Sequence, residues 1–198
     1  MTGPETPIWT DLPSDTLPPP QKKPSGLRRP VGPGMIIAII IGVVLVRGWL
    51  MEGVIVGGNS MEPTLKDGEW LLALKCRYGP SHLPARGDIV IFPDPQEGVI
   101  VVKRVIALPE EEVIVYGAEV AINGRLLQEP YAQGAEQYSV PERVVVPKES
   151  IWVMGDNRDD SVDSRTYGPV KLSSIRGRPV LVMWPFPPRL IPRAQRMQ

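Results

Sequence analysis

The chain has 198 residues with 22 basic and 22 acidic side chains, so its formal net charge is zero at pH 7. This balance excludes a strong overall field for nucleic acid or for an acidic partner, and the single cysteine, Cys76, excludes an internal disulfide and a cysteine-based metal cluster. The length fits one compact domain of about 150 residues with appendages, and 24 prolines with 19 glycines predict short strands and turns rather than a helical bundle.

Residues 1–34 form a proline-rich segment. It contains nine prolines and few large apolar residues. Because such a stretch buries too little surface to offset its ordering entropy, we predict a disordered cytoplasmic tail. Its last third is basic and contains Lys22, Lys23, Arg28 and Arg29.

An apolar run follows over residues 35–51. Its 17 residues span about 25 Å as a helix, slightly less than a hydrocarbon core of about 30 Å. Arg47 can reach the headgroups and Trp49 suits the interface. The basic residues before the run predict a single-pass anchor in a bacterial inner (plasma) membrane, with the N-terminus in the cytoplasm. A cleaved signal peptide and a buried core segment are the alternatives.

The remainder, 52–198, has the pattern of a β domain on the outer face of the membrane. Short apolar runs are separated by turns, and Asn123-Gly124 is a strong hairpin signal. We predict a mostly β fold with an antiparallel sheet and a hairpin-rich excursion at about 110–150. The predicted strands cover 68–74, 87–92, 99–108, 113–122, 142–147, 150–154 and 180–184.

Ser60 is a candidate nucleophile in the segment 58–65, which reads GNSMEPTL. By itself, an exposed serine near a proline is ordinary turn chemistry. The usual base for such a serine is histidine, and the one histidine, His82, lies in a turn-rich stretch typical of a surface loop.

Lys103 is the better candidate base. It lies in a strand of almost entirely apolar residues, on the face shared by Val101 and Val105, while Arg104 points to the opposite face. One cation of this pair should therefore enter an apolar layer, where burial lowers a lysine pKa and makes the neutral amine available as a base. The alternative is an edge strand whose lysine extends into solvent and blocks aggregation.

The segment 155–168 is dense in charged and hydroxyl side chains and follows an apolar strand. We predict a hydrogen-bonded loop in which Asp163 and Arg165 can pair. The spacing of Asp156, Arg158 and Asp160 does not fit an EF-hand, which requires oxygen ligands at alternate positions.

Together these blocks resemble the type I signal peptidases, membrane-anchored serine proteases that remove signal peptides from exported proteins. The resemblance extends from the apolar run to about Pro185, and four ordered blocks are far more specific than any one of them. The blocks are Ser60-Met61 with 63–65, then 87–90, then 103–106 with 108–109, and finally 155–158 with Ser161, 163–165 and Gly168.

The resemblance implies a role for each matching residue. Ser60 attacks the scissile carbonyl, Lys103 takes its proton, and Ser161 orients the lysine amine. Asp163 and Arg165 form a supporting ion pair, the Ser60 backbone N–H contributes to the oxyanion hole, and no metal or organic cofactor is required.

One position departs from the family pattern. Some members have a hydroxyl side chain two residues before the nucleophile, where this chain has Gly58. Losing such a donor typically costs about 3–4 kcal/mol in kcat. We predict that a backbone N–H near Gly58 substitutes, because glycine allows the substrate to approach the backbone closely.

Four apolar residues near the two catalytic candidates are predicted to shape shallow pockets for alanine-sized side chains: Val54, Val56, Ile91 and Val102. Such pockets match cleavage after small-x-small sites. An extended substrate is expected to add as a strand beside Lys103. The expected partners are preprotein signal peptides and membrane lipid, with no nucleic acid.

Three other functions fit parts of the sequence. A processing peptidase dedicated to one exported substrate would have the same residues. A self-cleaving serine–lysine regulator would share Ser60 and Lys103, but it requires a DNA-binding region where this chain has the tail and the apolar run. A non-enzymatic, membrane-anchored β module that binds partners through the polar loop would leave the buried lysine unexplained.

Overall fold

The computed structural model describes residues 32–134 and 142–191. Almost all of the predicted tail 1–34 lies outside the described residues. The secondary-structure elements are helices α1 (Pro33–Leu50) and α2 (Ser164–Tyr167), and strands β1 (Met51–Ile55), β2 (Trp70–Lys75), β3 (Ile89–Pro93), β4 (Ile100–Ala107), β5 (Glu112–Tyr116), β6 (Glu119–Ile122), β7 (Arg125–Leu126), β8 (Glu142–Val145), β9 (Ser150–Met154), β10 (Val170–Lys171), β11 (Gly177–Trp184) and β12 (Arg189–Leu190).

Helix α1 corresponds to the apolar run. Its 18 residues span about 27 Å, and it is long and apolar enough to cross a membrane. Pro33 occupies the first helical position, where its missing N–H costs no hydrogen bond. The helix ends at Leu50, because the chain continues as strand β1 from Met51.

The larger of two sheets carries the polar loop and the predicted base. Its strand order is β1-β2-β11-β3-β4-β9-β10, with β12 paired to β11, and the strand pairs are antiparallel. Strand β4 lies between β3 and β9. Strand β9 pairs with β4 only from Arg104 onward, so among the described residues 100–103 are unpaired on that side. The alternative of a lysine that extends into solvent is nevertheless wrong, because Lys103 is buried.

The smaller sheet, β7-β6-β5-β8, is the predicted hairpin-rich excursion. The sequence predicted one strand over 113–122, but the structure has two strands there, β5 and β6. Gly117, with φ of 61°, turns the chain so that β5 and β6 pair with each other. A second hairpin turns at Asn123-Gly124, as the dipeptide predicts, with φ of 50° and 78°.

The alternation of side chains along the central strands divides the core into separate clusters. On β9, Ile151 and Val153 pack into one cluster, whereas Trp152 and Met154 pack into the cluster under the smaller sheet. Strand β9 is thus apolar on both faces because both faces are covered.

Both cations of β4 are buried, not only one. Lys103 is 3% exposed and Arg104 is 7% exposed. Two adjacent cations on opposite faces of a covered strand must each find polar partners in the interior. These partners come from the loops that precede β2 and follow β9.

Candidate active site

Ser60 lies at the start of a compact turn held by two buried side chains. Met61 and Leu65 are 1% and 0% exposed and pack into the apolar cluster beside β2 and β3. Burial of side chains of this size contributes about 1.5–3 kcal/mol each. The turn closes by hydrogen bonds from Glu62 N to Asn59 O (3.0 Å) and from Leu65 N to Met61 O (2.9 Å). Ser60 itself stays partly exposed.

The backbone of Ser60 packs against the loop that follows β9. Asn157 N donates to Ser60 O at 3.1 Å, and Asn157 Nδ2 donates to Asn59 O at 3.3 Å. A side chain at Gly155 would overlap both Ser60 O and the Ser161 side chain, whose Cβ would be only 2.6 Å away. Glycine is needed at position 155 because Ser60 and Ser161 converge on it.

Lys103 extends from β4 toward the same loop. Its Nζ donates to Ser161 Oγ at 3.0 Å. Burial lowers the pKa of Lys103 from 10.5 to about 8, against the opposing attraction of the Asp163 carboxylate. The neutral amine is therefore a minor form at pH 7 and about half of the total at pH 8.

Ser161 connects the amine to a buried ion pair. Its hydroxyl donates to Asp163 Oδ2 at 2.8 Å, so the lone pairs of Ser161 Oγ face Lys103. Asp163 also accepts from Gly155 N at 2.9 Å and from Arg165 Nε at 2.9 Å. Arg165 in turn donates to Arg158 O at 2.8 Å. The Asp163–Arg165 pair predicted from the sequence is thus present and almost completely buried.

Two backbone N–H groups lie where an oxyanion donor is predicted, those of Gly58 and Ser60. Gly58 has φ of 82°, a conformation that favours glycine over a hydroxyl side chain. Its N–H donates to Asp67 Oδ1 at 2.8 Å and is therefore occupied. Within residues 32–134 and 142–191, neither the N–H nor Oγ of Ser60 makes a hydrogen bond, so both can turn to a substrate.

Arg104 holds the two halves of the site together, a role that the sequence did not indicate. Its guanidinium binds both carboxylate oxygens of Asp156, at 2.7 Å and 2.5 Å, and donates to Thr64 Oγ1 at 3.2 Å. Thr64 also donates to Asp156 at 2.5 Å. Burial alone would lower the pKa of Arg104, but the hydrogen bond and charge of Asp156 raise it. The Ser60 turn and the loop after β9 are therefore tied through one buried guanidinium.

A second group missed from the sequence packs beneath Arg104. The Tyr131 ring lies 3.9 Å from the guanidinium carbon of Arg104, and its hydroxyl donates to Glu129 Oε1 at 2.8 Å. Glu129 also accepts from the fully buried Arg158 at 2.7 Å, and Arg158 Nε donates to Gly155 O at 3.0 Å. Glu129 and Tyr131 lie between strands β7 and β8, and nothing in their local sequence indicated that they would contact the site.

The four predicted pocket residues lie together in the apolar cluster that also holds Met61 and Leu65. Val54 is partly buried, Val56 and Val102 are 4% and 7% exposed, and Ile91 is fully buried. Ile91 therefore supports this wall from behind and does not face solvent.

The remaining reactive side chains pack elsewhere. His82 is exposed and stacks on Tyr78, with ring centroids 5.3 Å apart. Cys76 is a half-buried free thiol at the end of β2. Among the described residues, no group of three or more His, Cys, Asp or Glu side chains is placed to hold a metal ion.

Comparison with known proteins gives consistent matches. A family model described as signal peptidase, peptidase S26, matches residues 31–184. A signal peptidase I from Leptolyngbya laminosa is 37% identical over 161 residues, covering 77% of this chain and 76% of that protein. One from Bacillus licheniformis is 39% identical over 163 residues, covering 75% of this chain and 87% of that protein. A crystal structure of a signal peptidase I from Enterococcus faecalis is 36% identical, covers 48% of this chain and 96% of that chain, and has a TM-score of 0.43.

Proposed function

The chain belongs to the signal peptidase family, peptidase S26, and we propose that it removes N-terminal signal peptides from exported preproteins, with Ser60 as the nucleophile and Lys103 as the general base. Family membership makes it a peptide hydrolase. The observation that carries the proposed dyad is the environment of Lys103: a buried amine with a pKa of about 8, bonded to Ser161 beside the Ser60 turn.

The hydrogen bonds of Ser161 support this assignment of roles. Because its proton is donated to Asp163, Ser161 can only accept from Lys103. Neutral Lys103 then donates one N–H to Ser161. The lone pair of the Lys103 amine consequently points away from Ser161 and is free to accept the proton of the Ser60 hydroxyl. Ser60 Oγ attacks the scissile carbonyl, its proton passes to Lys103, and the ammonium returns a proton to the leaving amine. Water then hydrolyses the acyl-enzyme by the same base.

The free N–H of Ser60 is the backbone donor we assign to the oxyanion. A donor in this position stabilises the charge that develops on the carbonyl oxygen. The Gly58 N–H can take part only by leaving Asp67, to which it donates in this structure. We therefore assign Asp67 the role of shaping the loop before Ser60. The side-chain hydroxyl that some members have two residues before the nucleophile has no counterpart at Gly58.

A substrate strand has room beside the first half of β4. Strand β9 pairs with β4 only from Arg104 onward, and within the described residues no strand pairs with 100–103 on that side. We propose that an extended peptide lies there, with small side chains directed to the apolar wall of Val54, Val56 and Val102 supported by Ile91. A shallow wall of this kind accepts alanine-sized side chains and fits cleavage after small-x-small sites.

The proposed anchor places the site near the membrane. Helix α1 is suited to cross a membrane, and the basic segment before it favours a cytoplasmic N-terminus with the β domain on the outer face. Nine residues lie between Leu50 and Ser60. Such a tether would keep the nucleophile close to the point where the cleavage site of a signal peptide leaves the bilayer.

The test is cleavage of a purified preprotein in non-ionic detergent by the full chain. We expect wild type to cleave after a small-x-small site, and Ser60→Ala and Lys103→Ala to be inactive. Matched exposed substitutions, Ser81→Ala and Lys148→Ala, should leave activity unchanged. Activity in either dyad variant would overturn the mechanism. Cleavage of one exported substrate only would favour a dedicated processing peptidase, and no cleavage by folded wild type would favour a binding module.

A further inference from the structure

A second site lies apart from Ser60 and Lys103, at the other end of β2. A cavity of about 810 Å³ opens there, within the size range of about 300–1,000 Å³ typical of ligand sites. Its lining includes three cations, Lys75, Arg77 and Arg176, and a single carboxylate, Glu52. The proposed peptidase mechanism uses none of these residues.

The cations of this cavity have no carboxylate partners. Within the described part of the chain, Lys75, Arg77 and Arg176 form no ion pair, and Glu52 pairs with none of them. By contrast, six other arginines are paired with Asp or Glu: Arg86, Arg104, Arg143, Arg158, Arg165 and Arg189. A chain of zero net charge thus leaves three cations on one cavity without a counterion among the residues that the structure describes.

The cavity also has a mixed wall. Trp49, which is 87% exposed, and Ile175 contribute apolar surface. Ser173 contributes a hydroxyl group, whereas the hydroxyl of Ser174 donates to Lys171 O at 2.7 Å. Trp49 is the penultimate residue of α1, the helix suited to cross a membrane. A tryptophan at such a helix end sits at headgroup level. Guanidinium and ammonium groups with hydroxyl donors are suited to a phosphate.

We propose that this cavity binds the phosphate of an anionic phospholipid headgroup, with Arg77 and Arg176 as the principal contacts. The headgroup is favoured over free phosphate because Trp49, at the C-terminal end of α1, lines the cavity. A helix that crosses the membrane brings this end to the headgroups, where lipid phosphate is present at high local concentration. The proposal rests on the membrane anchoring in the proposed function, but not on the peptidase chemistry.

The test is native mass spectrometry of the full chain in dodecyl maltoside with equal amounts of phosphatidylglycerol and phosphatidylcholine. We expect wild type to retain phosphatidylglycerol preferentially. Arg77→Gln/Arg176→Gln should lower the ratio of bound phosphatidylglycerol to phosphatidylcholine by about tenfold. The matched pair Arg125→Gln/Lys148→Gln, with the same change in charge far from the cavity in sequence, should keep the wild-type ratio. Arg77→Lys/Arg176→Lys should retain most of the preference.

The outcomes separate this site from the catalytic one. Ser60→Ala should retain phosphatidylglycerol as wild type does, so an inactive protein that still selects the anionic lipid would leave this proposal standing. Equal lipid ratios for wild type and the Arg77/Arg176 variant would overturn it, as would an equal loss in the control pair. Displacement of the lipid by millimolar inorganic phosphate, with the same dependence on Arg77 and Arg176, would identify a free-phosphate site instead and overturn the lipid assignment.

Discussion

Lys103→Met should make the protein more stable and inactive at the same time. Burial lowers the pKa of Lys103 from 10.5 to about 8. The folded state therefore disfavours the ammonium form, relative to the neutral amine, by about 3 kcal/mol. Methionine has a similar length and no charge, so the substitution removes this penalty. The base is lost with it, because no proton can then be taken from Ser60.

The gain in stability should depend on pH in one direction. Below pH 8 both the folded and the unfolded chain carry the Lys103 ammonium, and the full penalty is present. Between pH 8 and 10.5 the folded chain loses this proton first, so the penalty declines and is nearly gone by pH 10.5. The advantage of Lys103→Met should therefore be greatest at pH 6.5 and small at pH 10.5.

Thermal unfolding of the full chain in non-ionic detergent measures this difference. At pH 6.5 the Tm of Lys103→Met should exceed that of wild type by about 6–12 °C. Lys148→Met, at an exposed site, should show no such pH-dependent difference. In parallel, kcat/KM of wild type should rise about tenfold per pH unit below 8 and level off above it. A wild type more stable than Lys103→Met at pH 6.5, or a difference independent of pH, would refute the reasoning.

Three further substitutions test the site around this lysine. Asp156→Asn removes the charge opposite buried Arg104 and should lower the free energy of unfolding by about 3–5 kcal/mol in chemical denaturation; a loss below about 1 kcal/mol would contradict the buried pairing. Gly155→Ala would force Ser60 and Ser161 apart and should lower kcat about 100-fold in single-turnover cleavage; wild-type turnover would show that the two need not converge there. Ser161→Ala removes the acceptor that orients the base and should lower kcat about 100-fold with little change in Tm, and unchanged kcat would remove Ser161 from the mechanism.

Patterns of short range predicted most of the fold. The period of two in the apolar runs located the strands, and Asn123-Gly124 located a hairpin, because both signals reflect local backbone geometry. The turn at Gly117 was missed because the apolar pattern of one long strand is the same as that of two short strands joined by a turn. Which part of β4 is covered by a neighbouring strand was left open for a related reason, since strand order depends on pairings distant in sequence.

The candidate site shows the same division. Lys103 drew attention because a cation in an apolar strand is unusual, and Asp163 and Arg165 because they are two residues apart. Glu129 and Tyr131 drew none, since each is unremarkable in its own segment. Their role exists only because the segment after β7 packs under Arg104 and beside Arg158.

What the sequence by itself determined was which elements and reactive groups are present: an apolar helix, a serine in a proline-containing turn, and a lysine whose neutral amine burial would make available as a base. Only the tertiary structure decided which groups meet. It brought Ser161 within 3.0 Å of the Lys103 amine and joined Thr64 to Asp156 across 92 residues of chain. The physical reason is that residue type and local periodicity set which groups must be buried or paired, whereas the choice of partner depends on contacts between segments that the sequence places far apart.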